Sequence, residues 1–157
     1  MKKYQIGYTT GVFDLFHIGH LNILRKSKEL CDFLIVEVTS DEQTMKKKNR
    51  MPIIPYNERI QIIESIRYVD KVVTTLLSSG DVGSALQIKA WKKYKYNALF
   101  KGDDSKGTDV YNKLEVYLKA RGVDVVYFPY TKGTSSSKLS LYLEKTLVDN
   151  QFSRTHD

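Results

Sequence analysis

Residues 3–24 read KYQIGYTTGVFDLFHIGHLNIL, and this stretch decides the fold class. Its first six residues form a β-prone run, which Thr9-Thr10-Gly11 interrupts. From Ile18 onward, apolar residues such as Leu21 and Leu24 recur at helical spacing. The stretch therefore predicts a strand, a connecting loop and a helix, which together form the first half of a βαβ unit.

The same alternation continues along the rest of the chain. Four more β-prone runs follow the first, at residues 33–39, 71–77, 97–101 and 123–128. Four more helical patterns accompany them, at residues 55–66, 82–91, 110–118 and 135–148. Residues 46–50 and 78–81 predict loops, and residues 149–157 predict a polar tail. The alternation predicts an α/β fold: a single Rossmann-like doubly wound domain, residues 1–148, with a five-stranded parallel sheet flanked by helices.

Composition narrows the class of protein further. The chain has 157 residues, with 25 Lys+Arg against 18 Asp+Glu and a net charge of +7. This charge predicts an anionic partner: a small phosphate compound, nucleic acid or a membrane surface. The single cysteine, Cys31, excludes an intramolecular disulfide and fits a reducing cytosol. The longest purely apolar run is far shorter than the roughly 20 residues of a spanning helix, so we expect a cytoplasmic protein.

A pair of histidines stands where the first strand gives way to the first helix. His17 and His20 are three residues apart, so both imidazoles share a helix face and can point at one ligand. In open parallel sheets ligands bind beyond the carboxyl ends of the strands, and a helix N-terminus there attracts anions. Gly11 and Gly19 would let an anion approach the backbone. The pair therefore predicts a phosphate site able to stabilise a charged transition state.

Two other interpretations of the histidines stay open at this point. One imidazole would cap the helix while the other fills space, or the pair would bind zinc. The zinc interpretation lacks an evident third ligand, because His156 lies in the predicted tail and Cys31 lies a helix away. Metal-hydrolase chemistry is therefore disfavoured.

Four segments carry a resemblance to a known family. Residues 11–20 (GVFDLFHIGH) resemble the HxGH signature of the cytidylyltransferase family within the nucleotidylyltransferase superfamily. Residues 54–59 (IPYNER), continuing to 66–70 (IRYVD), resemble its central helix, and residues 101–104 (KGDD) resemble its GDD turn. Residues 131–137 (TKGTSSS) resemble the RTxGxSTT motif that opens its final helix. The order is also that of the family, and the chain is most similar to its glycerol-3-phosphate enzymes.

The resemblance implies a reaction and a set of partners. A phosphorylated alcohol, such as glycerol-3-phosphate or a similar polyol phosphate, would attack the α-phosphate of CTP in line. A CDP-alcohol would form and pyrophosphate would leave, with magnesium (Mg²⁺) bridging the phosphates. No protein nucleophile would be required. The resemblance also implies a homodimer, and it implies neither nucleic acid nor a membrane as a partner.

The resemblance assigns roles to individual residues. His17 and His20 would contact the triphosphate, and Lys48 and Arg50 would reach the α-phosphate and the incoming phosphate. Arg59 would pair with substrate phosphate or brace the site. The remaining residues would bind the nucleotide or support its loops: Thr10, Gly11, Val12, Asp14, Gly19, Asp103, Thr131, Gly133, Ser135, Ser136 and Ser137.

Two departures from the family pattern leave the identity of the acceptor undetermined. Tyr130 stands where the family has an arginine, and Ser105 stands where it commonly has a tryptophan. A longer polyol phosphate such as ribitol phosphate is therefore an alternative acceptor. An adenylyltransferase of the same fold, of the sugar-phosphate or flavin type, is an alternative function.

A more remote alternative is a nucleic-acid-binding module. It would use the basic residues 46–50 and residues 89–96 (KAWKKYKY), where aromatic side chains alternate with cations. The second stretch is equally compatible with a helix that buries Trp91 while its lysines stay solvated.

Overall fold

The computed structural model describes residues 1–76 and 83–153. The turn predicted at residues 78–81 and the histidine His156 lie outside the described residues. The elements follow one another in this order: β1 (Tyr4–Gly11), α1 (Ile18–Leu30), β2 (Cys31–Val38), α2 (Asp41–Lys48), α3 (Tyr56–Glu64), β3 (Lys71–Thr74), α4 (Ala85–Tyr94), β4 (Ala98–Gly102), α5 (Asp109–Lys119), β5 (Asp124–Phe128) and α6 (Ser136–Ser153). A short 3₁₀ turn, Asp103–Ser105, follows β4.

The five strands form one parallel sheet in the order β3-β2-β1-β4-β5. Helices cover both faces: α1 and α3 pack through Leu24 and Ile63 on one face, and α4 and α5 pack through Ala90 and Leu114 on the other. The prediction of a Rossmann-like α/β fold with a five-stranded parallel sheet is confirmed. Strand order reverses between β1 and β4, so the ligand crevice of such a sheet is expected at their carboxyl ends.

The sheet face beneath α4 and α5 changes character along its strands. Tyr8 lies beside Ile35 and Leu99 in the strand register, and all three are buried and apolar in their packing. Two residues further along β1, on the same face, Thr10 lies opposite Glu37. The apolar core under α4 and α5 therefore ends in a polar floor at the carboxyl edge of the sheet.

Most predicted boundaries lie within three residues of the observed ones, but two predictions differ by more. The basic residues 46–48, predicted as loop, form the last turn of α2. The Ser40 hydroxyl caps this helix by accepting the Gln43 N–H at 3.1 Å, and lysines at its C-terminal end complement the helix dipole. Helix α6 continues to Ser153 instead of ending at residue 148, because residues 149–153 include neither glycine nor proline. None of the helices in the described ranges is long and apolar enough to cross a lipid bilayer.

The aromatic side chains of the basic stretch 89–96 pack against other aromatic rings of the protein. The ring of Tyr96 stacks on that of Tyr8 with centroids 4.7 Å apart, and Tyr94 stacks on Tyr8 at 6.0 Å. Trp91 meets Tyr117 edge to face at 6.1 Å, and the Lys95 amine lies 4.4 Å from its centroid. These contacts correspond to the structural interpretation of the stretch, in which a helix packs its rings against the core.

Candidate active site

The loop between β1 and α1 is held in a strained conformation. Phe13 and Leu15 have φ angles of 55° and 48°, in the left-handed region that costs a non-glycine residue about 1–3 kcal/mol. The Asp14 carboxylate between them accepts the backbone N–H groups of Ile53 at 2.9 Å and Ile54 at 2.8 Å. The Ser136 hydroxyl donates to the Asp14 carbonyl at 2.6 Å. Asp14 thus joins this loop to the segment before α3 and to α6, which is the supporting role predicted for it.

The two histidines cap helix α1 through their Nδ1 atoms. His17 is the N-cap residue, and its Nδ1 accepts the Gly19 N–H at 3.0 Å. Nδ1 of His20 accepts the His17 N–H at 3.3 Å, which completes a reciprocal capping box. An Nδ1 that accepts an amide proton carries none itself, so each neutral imidazole has its proton on Nε2. The cap therefore orients both Nε2–H groups as donors for a ligand.

The surroundings of the histidines favour their neutral form. Burial lowers the pKa of His17. The pKa of His20 falls to about 4, mainly through burial and then through the charge of His17, with a smaller opposing effect of Asp14. Phe13 and Phe16 contribute to this burial, with ring centroids 5.4 and 5.5 Å from that of His20. Both histidines are thus hydrogen-bond donors at neutral pH without carrying a full charge.

Gly19 is required by the same cap. A Cβ added at this position would lie 2.8 Å from Cε1 of His17 and 3.0 Å from its Nδ1. A side chain here would push the imidazole out of the position in which it accepts the Gly19 N–H. The glycine between the two histidines therefore permits the capping box, in addition to opening the backbone to a ligand.

We expect the stability of the protein to fall between pH 7 and pH 5. The unfolded chain takes up a proton at the ordinary histidine pKa of about 6.5, whereas folded His20 takes one up only near 4. Stability from this group is complete above pH 6.5 and is lost as pH falls towards 4, by about 2 kcal/mol between pH 7 and 5. Urea denaturation at the two pH values measures the loss. His20→Asn cannot titrate, so an equal loss in this variant would assign the effect to other groups.

The predicted basic residues meet His20 in one small hollow. This basic hollow, of about 100 Å³, is lined by His20, Lys48, Arg50 and Ser136 together with Val12, Phe13, Asp14, Thr44, Met51 and Pro52. Lys48 ends α2, and Asn49 follows it in the left-handed conformation with φ 53°, donating its N–H to the Met45 carbonyl at 2.9 Å. This turn carries Arg50 towards the hollow, so residues from three separate segments line it.

Arg59 lies inside the protein next to this hollow, because it donates to the carbonyl of Val12, one of the lining residues. Its side chain is fully buried, and its Nε donates to the Ile54 carbonyl at 2.9 Å. Its two terminal nitrogens donate to the carbonyls of Val12 at 2.5 Å and Thr39 at 2.8 Å and pair with Asp41 at 2.6 Å. The assignment of Arg59 to substrate phosphate is therefore corrected to the bracing role, because the guanidinium is shielded from solvent and engaged by the protein.

A second hollow lies on the other side of the histidines. This Tyr130 hollow has a volume of about 210 Å³ and includes six predicted residues, which are His17, Gly19, His20, Asp103, Thr131 and Ser135. Asn22 donates to the Thr131 hydroxyl at 3.2 Å and so fixes the segment after β5 against α1. Tyr130 also lines it, at the position where the family arginine was expected. Among the described residues, Gly133 and Ser137 line none of the hollows that contain the histidines.

One large cavity has walls formed mostly by residues outside the predicted site. This large cavity, of about 570 Å³, opens above the polar floor of the sheet, and Thr10, Gly11, Val12 and Lys48 are its only predicted site residues. Its other lining residues include Lys47, Lys101, Ser105, Tyr111, Thr44, Thr108 and Gln87. Lys47 belonged to the basic run recognised in the sequence, whereas Lys101 ends a strand that reads as core. A cation at the carboxyl end of a parallel strand was the available signal.

Glu37 anchors the floor of the large cavity. It is buried in the sheet and accepts the hydroxyls of Tyr8, of Thr10 at 3.0 Å and of Thr75 at 3.1 Å. Burial, and then the Glu37 carboxylate, raise the pKa of Tyr8 far above its ordinary value. Three hydroxyl donors satisfy the buried carboxylate, so the floor is a fixed element of the fold.

The chain matches a known protein family over most of its length. The sequence profile of the cytidylyltransferase-like family matches residues 8–153, which include both histidines, Lys48, Arg50 and all four motifs. The chain belongs to the cytidylyltransferase-like family. The resemblance and the prediction of a nucleotidyltransferase are thereby confirmed.

Relatives of this cytidylyltransferase-like protein carry two different activities in their names. It is 36% identical over 137 residues to the FAD synthase of Pyrococcus abyssi, covering 86% of this chain and 87% of that protein. It is 33% identical over 133 residues to the glycerol-3-phosphate cytidylyltransferase of Bacillus subtilis, covering 83% and 91%. Among solved structures, a lipopolysaccharide core biosynthesis protein from Thermoplasma volcanium superposes with a TM-score of 0.64, at 27% identity, covering 83% of this chain and 99% of that one.

Proposed function

We propose that the protein transfers a cytidylyl group from CTP to a phosphorylated polyol, forming a CDP-polyol and pyrophosphate. The observation that carries the proposal is the convergence of the hollows on one short segment. Gly11 and Val12 line a junction hollow of about 200 Å³, together with Thr9, Thr10, Phe13, His20, Ile23, Lys101, Gly102 and Asp104. The large cavity shares Gly11 and Val12, the basic hollow shares Val12 and His20, and the Tyr130 hollow shares His20. An α-phosphate bound there would be open to an acceptor from one side and to departing pyrophosphate on the other.

Each part of the site then has a chemical task. The nucleoside would occupy the Tyr130 hollow, and the β- and γ-phosphates would occupy the basic hollow. The Nε2–H group of His20 would donate a hydrogen bond to the triphosphate. Lys48 and Arg50 would neutralise the negative charge that grows on the leaving pyrophosphate. The protein contributes position and electrostatics, since the attacking phosphate oxygen is already an anion at neutral pH.

We propose that Mg²⁺ enters with the nucleotide, as the resemblance implies. In the described part of the chain, no three His, Cys, Asp or Glu side chains are grouped to hold a metal ion. The Asp14 carboxylate is engaged by backbone N–H groups and Glu37 by hydroxyls, which leaves Asp104 as the carboxylate that lines the junction hollow. These residues fit a cation held chiefly by phosphate oxygens and assisted by Asp104. Bound there, Mg²⁺ would neutralise the triphosphate.

A second candidate function is transfer of an adenylyl group from ATP to a flavin phosphate. Its support is the identity to FAD synthases, which is 36% for the Pyrococcus abyssi protein. The 570 Å³ of the large cavity also exceeds what glycerol-3-phosphate would fill, and Tyr111 in its wall offers an aromatic ring. A polyol longer than glycerol would use the same volume, so the acceptor and the nucleotide must be tested together.

Pyrophosphate release decides between the two candidates. Each of the four nucleoside triphosphates is incubated with the protein, Mg²⁺ and one acceptor: glycerol-3-phosphate, ribitol-5-phosphate, heptose-1-phosphate or flavin mononucleotide. We expect turnover with CTP and a polyol phosphate. Turnover with ATP and the flavin, but not with CTP, would replace the first function by the second. Salt-dependent binding of oligonucleotides without any turnover would contradict both.

Ser105→Trp should narrow the acceptor range. Ser105 lines the large cavity beside Tyr111, so an indole at this position would occupy space needed by a long acceptor. We expect kcat/KM for ribitol-5-phosphate to fall by about 10-fold or more, equivalent to about 1.4 kcal/mol, while the value for glycerol-3-phosphate changes less than threefold. Val116→Trp is the matched control, because Val116 is 73% exposed on α5. An equal effect on both acceptors would show that the cavity does not select for length.

The homodimer implied by the resemblance and the cytoplasmic location expected from the composition stay predictions. The exposed apolar residues of α6 bear on the first of them: Leu141, Tyr142, Leu143, Leu147 and Val148.

A further inference from the structure

Lys101 lines the large cavity and also the junction hollow that contains His20. It lies on β4 directly after Phe100, whose carbonyl accepts the Thr9 hydroxyl at 2.9 Å. Its Nζ donates to the Thr10 carbonyl at 3.0 Å, at the carboxyl end of β1. The side chain lines both the large cavity and the junction hollow. Lys101 is therefore a wall residue common to the two spaces that the proposed reaction would connect.

The groups around Lys101 leave its ammonium able to bind an anion. Burial lowers its pKa to about 8; Asp104 opposes this effect, Lys47 adds to it, and Glu37 and Lys48 have smaller opposite influences. The Tyr111 ring completes its surroundings, with a centroid 5.9 Å from Nζ. In the described ranges, Lys101 forms no ion pair within 4 Å. One of its three protons is donated to Thr10, so the others are available to a ligand.

The junction hollow brings this amine and a histidine to one space. His20 and Lys101 both line it, together with Thr10, Gly11 and Val12, and its volume is about 200 Å³. A transfer reaction must bring two phosphate groups into contact, and their repulsion is strong in a partly buried site. A cation at the contact point lowers that repulsion in the ground state and more strongly in the transition state.

We propose that Lys101 is a catalytic residue that binds the phosphate of the acceptor where it meets the α-phosphate of the nucleotide. This inference rests on the proposed function. An oxygen of the acceptor phosphate forms a bond to the α-phosphorus, the bond to the α–β bridging oxygen breaks, and pyrophosphate leaves with that electron pair. Lys101 keeps its protons throughout and acts by charge and hydrogen bonding. The large cavity beyond it would receive the rest of the acceptor.

Steady-state kinetics of Lys101→Met tests the inference. Methionine has a similar length and no donor, so we expect kcat to fall about 100-fold and the acceptor KM to rise about 10-fold, with the CTP KM within threefold of wild type. Lys101→Arg should recover part of the activity. Wild-type kcat/KM for the acceptor should also decline above about pH 8, as Lys101 loses its proton, and should not decline in the arginine variant. Lys113→Met, an exposed lysine on α5, is the control.

Two results would overturn the inference. The first is a folded Lys101→Met protein, with a wild-type circular dichroism spectrum, whose kcat and acceptor KM match those of Lys113→Met. Such a result would reduce Lys101 to a tie between β4 and the Thr10 carbonyl. If methionine prevents folding, Lys101→Gln replaces it, since glutamine keeps a donor and loses the charge. Wild-type kinetics in a folded glutamine variant would overturn the inference equally.

Failure of the proposed function gives a different pattern. In that case the wild-type protein turns over no combination of nucleotide and acceptor. Lys101 is then tested by the thermal shift that inorganic phosphate produces. We expect phosphate to raise the melting temperature of wild type and of Lys113→Met, and to raise that of Lys101→Met by less than half as much. Equal shifts in all three proteins would show that Lys101 binds no phosphate.

Discussion

Replacing His20 by asparagine should lower kcat by a factor of about 100 or more while the fold persists. The asparagine oxygen lies near the position of Nδ1, so it still accepts the His17 N–H and preserves the capping box. What the variant loses is the Nε2–H group that faces the junction and basic hollows. His17→Asn should have an effect of the same kind, because its Nδ1 likewise serves the cap and its Nε2 the ligand. Pyrophosphate release at saturating CTP measures both.

Alanine variants separate the two functions of each imidazole. His20→Ala loses the cap as well as the donor, so it should match His20→Asn in kcat and lose about 1 kcal/mol more stability. His20→Gln should retain more kcat than His20→Asn but lose more stability, since its amide reaches towards the Nε2 position and leaves the cap unsupported. Asparagine variants with kcat within threefold of wild type would show that the histidines serve the fold alone. In that case the pair is a helix cap, the first of the two open interpretations.

Replacing Arg59 by methionine should lower the free energy of unfolding by about 3–5 kcal/mol. The guanidinium is buried, and its loss leaves the carbonyls of Val12, Thr39 and Ile54 and the Asp41 carboxylate without their donors. These acceptors belong to the loop after β1, the end of β2, the segment before α3 and the start of α2. Activity should fall with stability, because the same four segments carry the basic hollow. Urea denaturation at pH 7 measures the change.

The control for Arg59 is Arg67, an exposed arginine that follows α3. Its guanidinium contacts Tyr68, donating to the hydroxyl at 2.9 Å, and Arg67→Met should cost less than about 0.5 kcal/mol. Combining Arg59→Met with Asp41→Asn should cost less than the sum of the two single changes, because removal of both charges leaves neither of them buried alone. Additive costs, or a cost for Arg59 as small as that for Arg67, would contradict the bracing role.

Much of the fold follows from local pattern. The strand β1 and the helix α1 were predicted from residues 3–24, because an apolar repeat of period 2 or 3.6 shows which face of an element is buried. The basic run before Arg50 was misjudged as loop, because its charges hide a helix that depends on the Ser40 cap and the dipole at its C-terminal end. Residues 149–153 were misjudged for the opposite reason, since polar composition alone does not end a helix.

The residues of the candidate site also differ in whether the sequence could predict them. His17 and His20 could be recognised from their spacing at the start of a predicted helix, and Ser136 from the resemblance of residues 131–137 to the family motif. Lys101 could not, because its spacing is that of a core strand and its neighbours come from β1, α2 and α5. The role of Arg59 was left open for a related reason: phosphate binding and bracing require the same residue type, and only burial distinguishes them.

Residues 3–24, the order of the five strands and the four motifs were enough to establish the fold class and a nucleotidyltransferase. The fold class depends on contacts within one element or between consecutive ones, and such contacts leave a periodic trace in the chain, whereas the nucleotidyltransferase was implied by the resemblance of the four motifs to a known family. Which cations face the substrates was decided only by the folded structure. Segments separated by 40 to 90 residues converge at one sheet edge, and their burial there determines which charges remain available to a ligand.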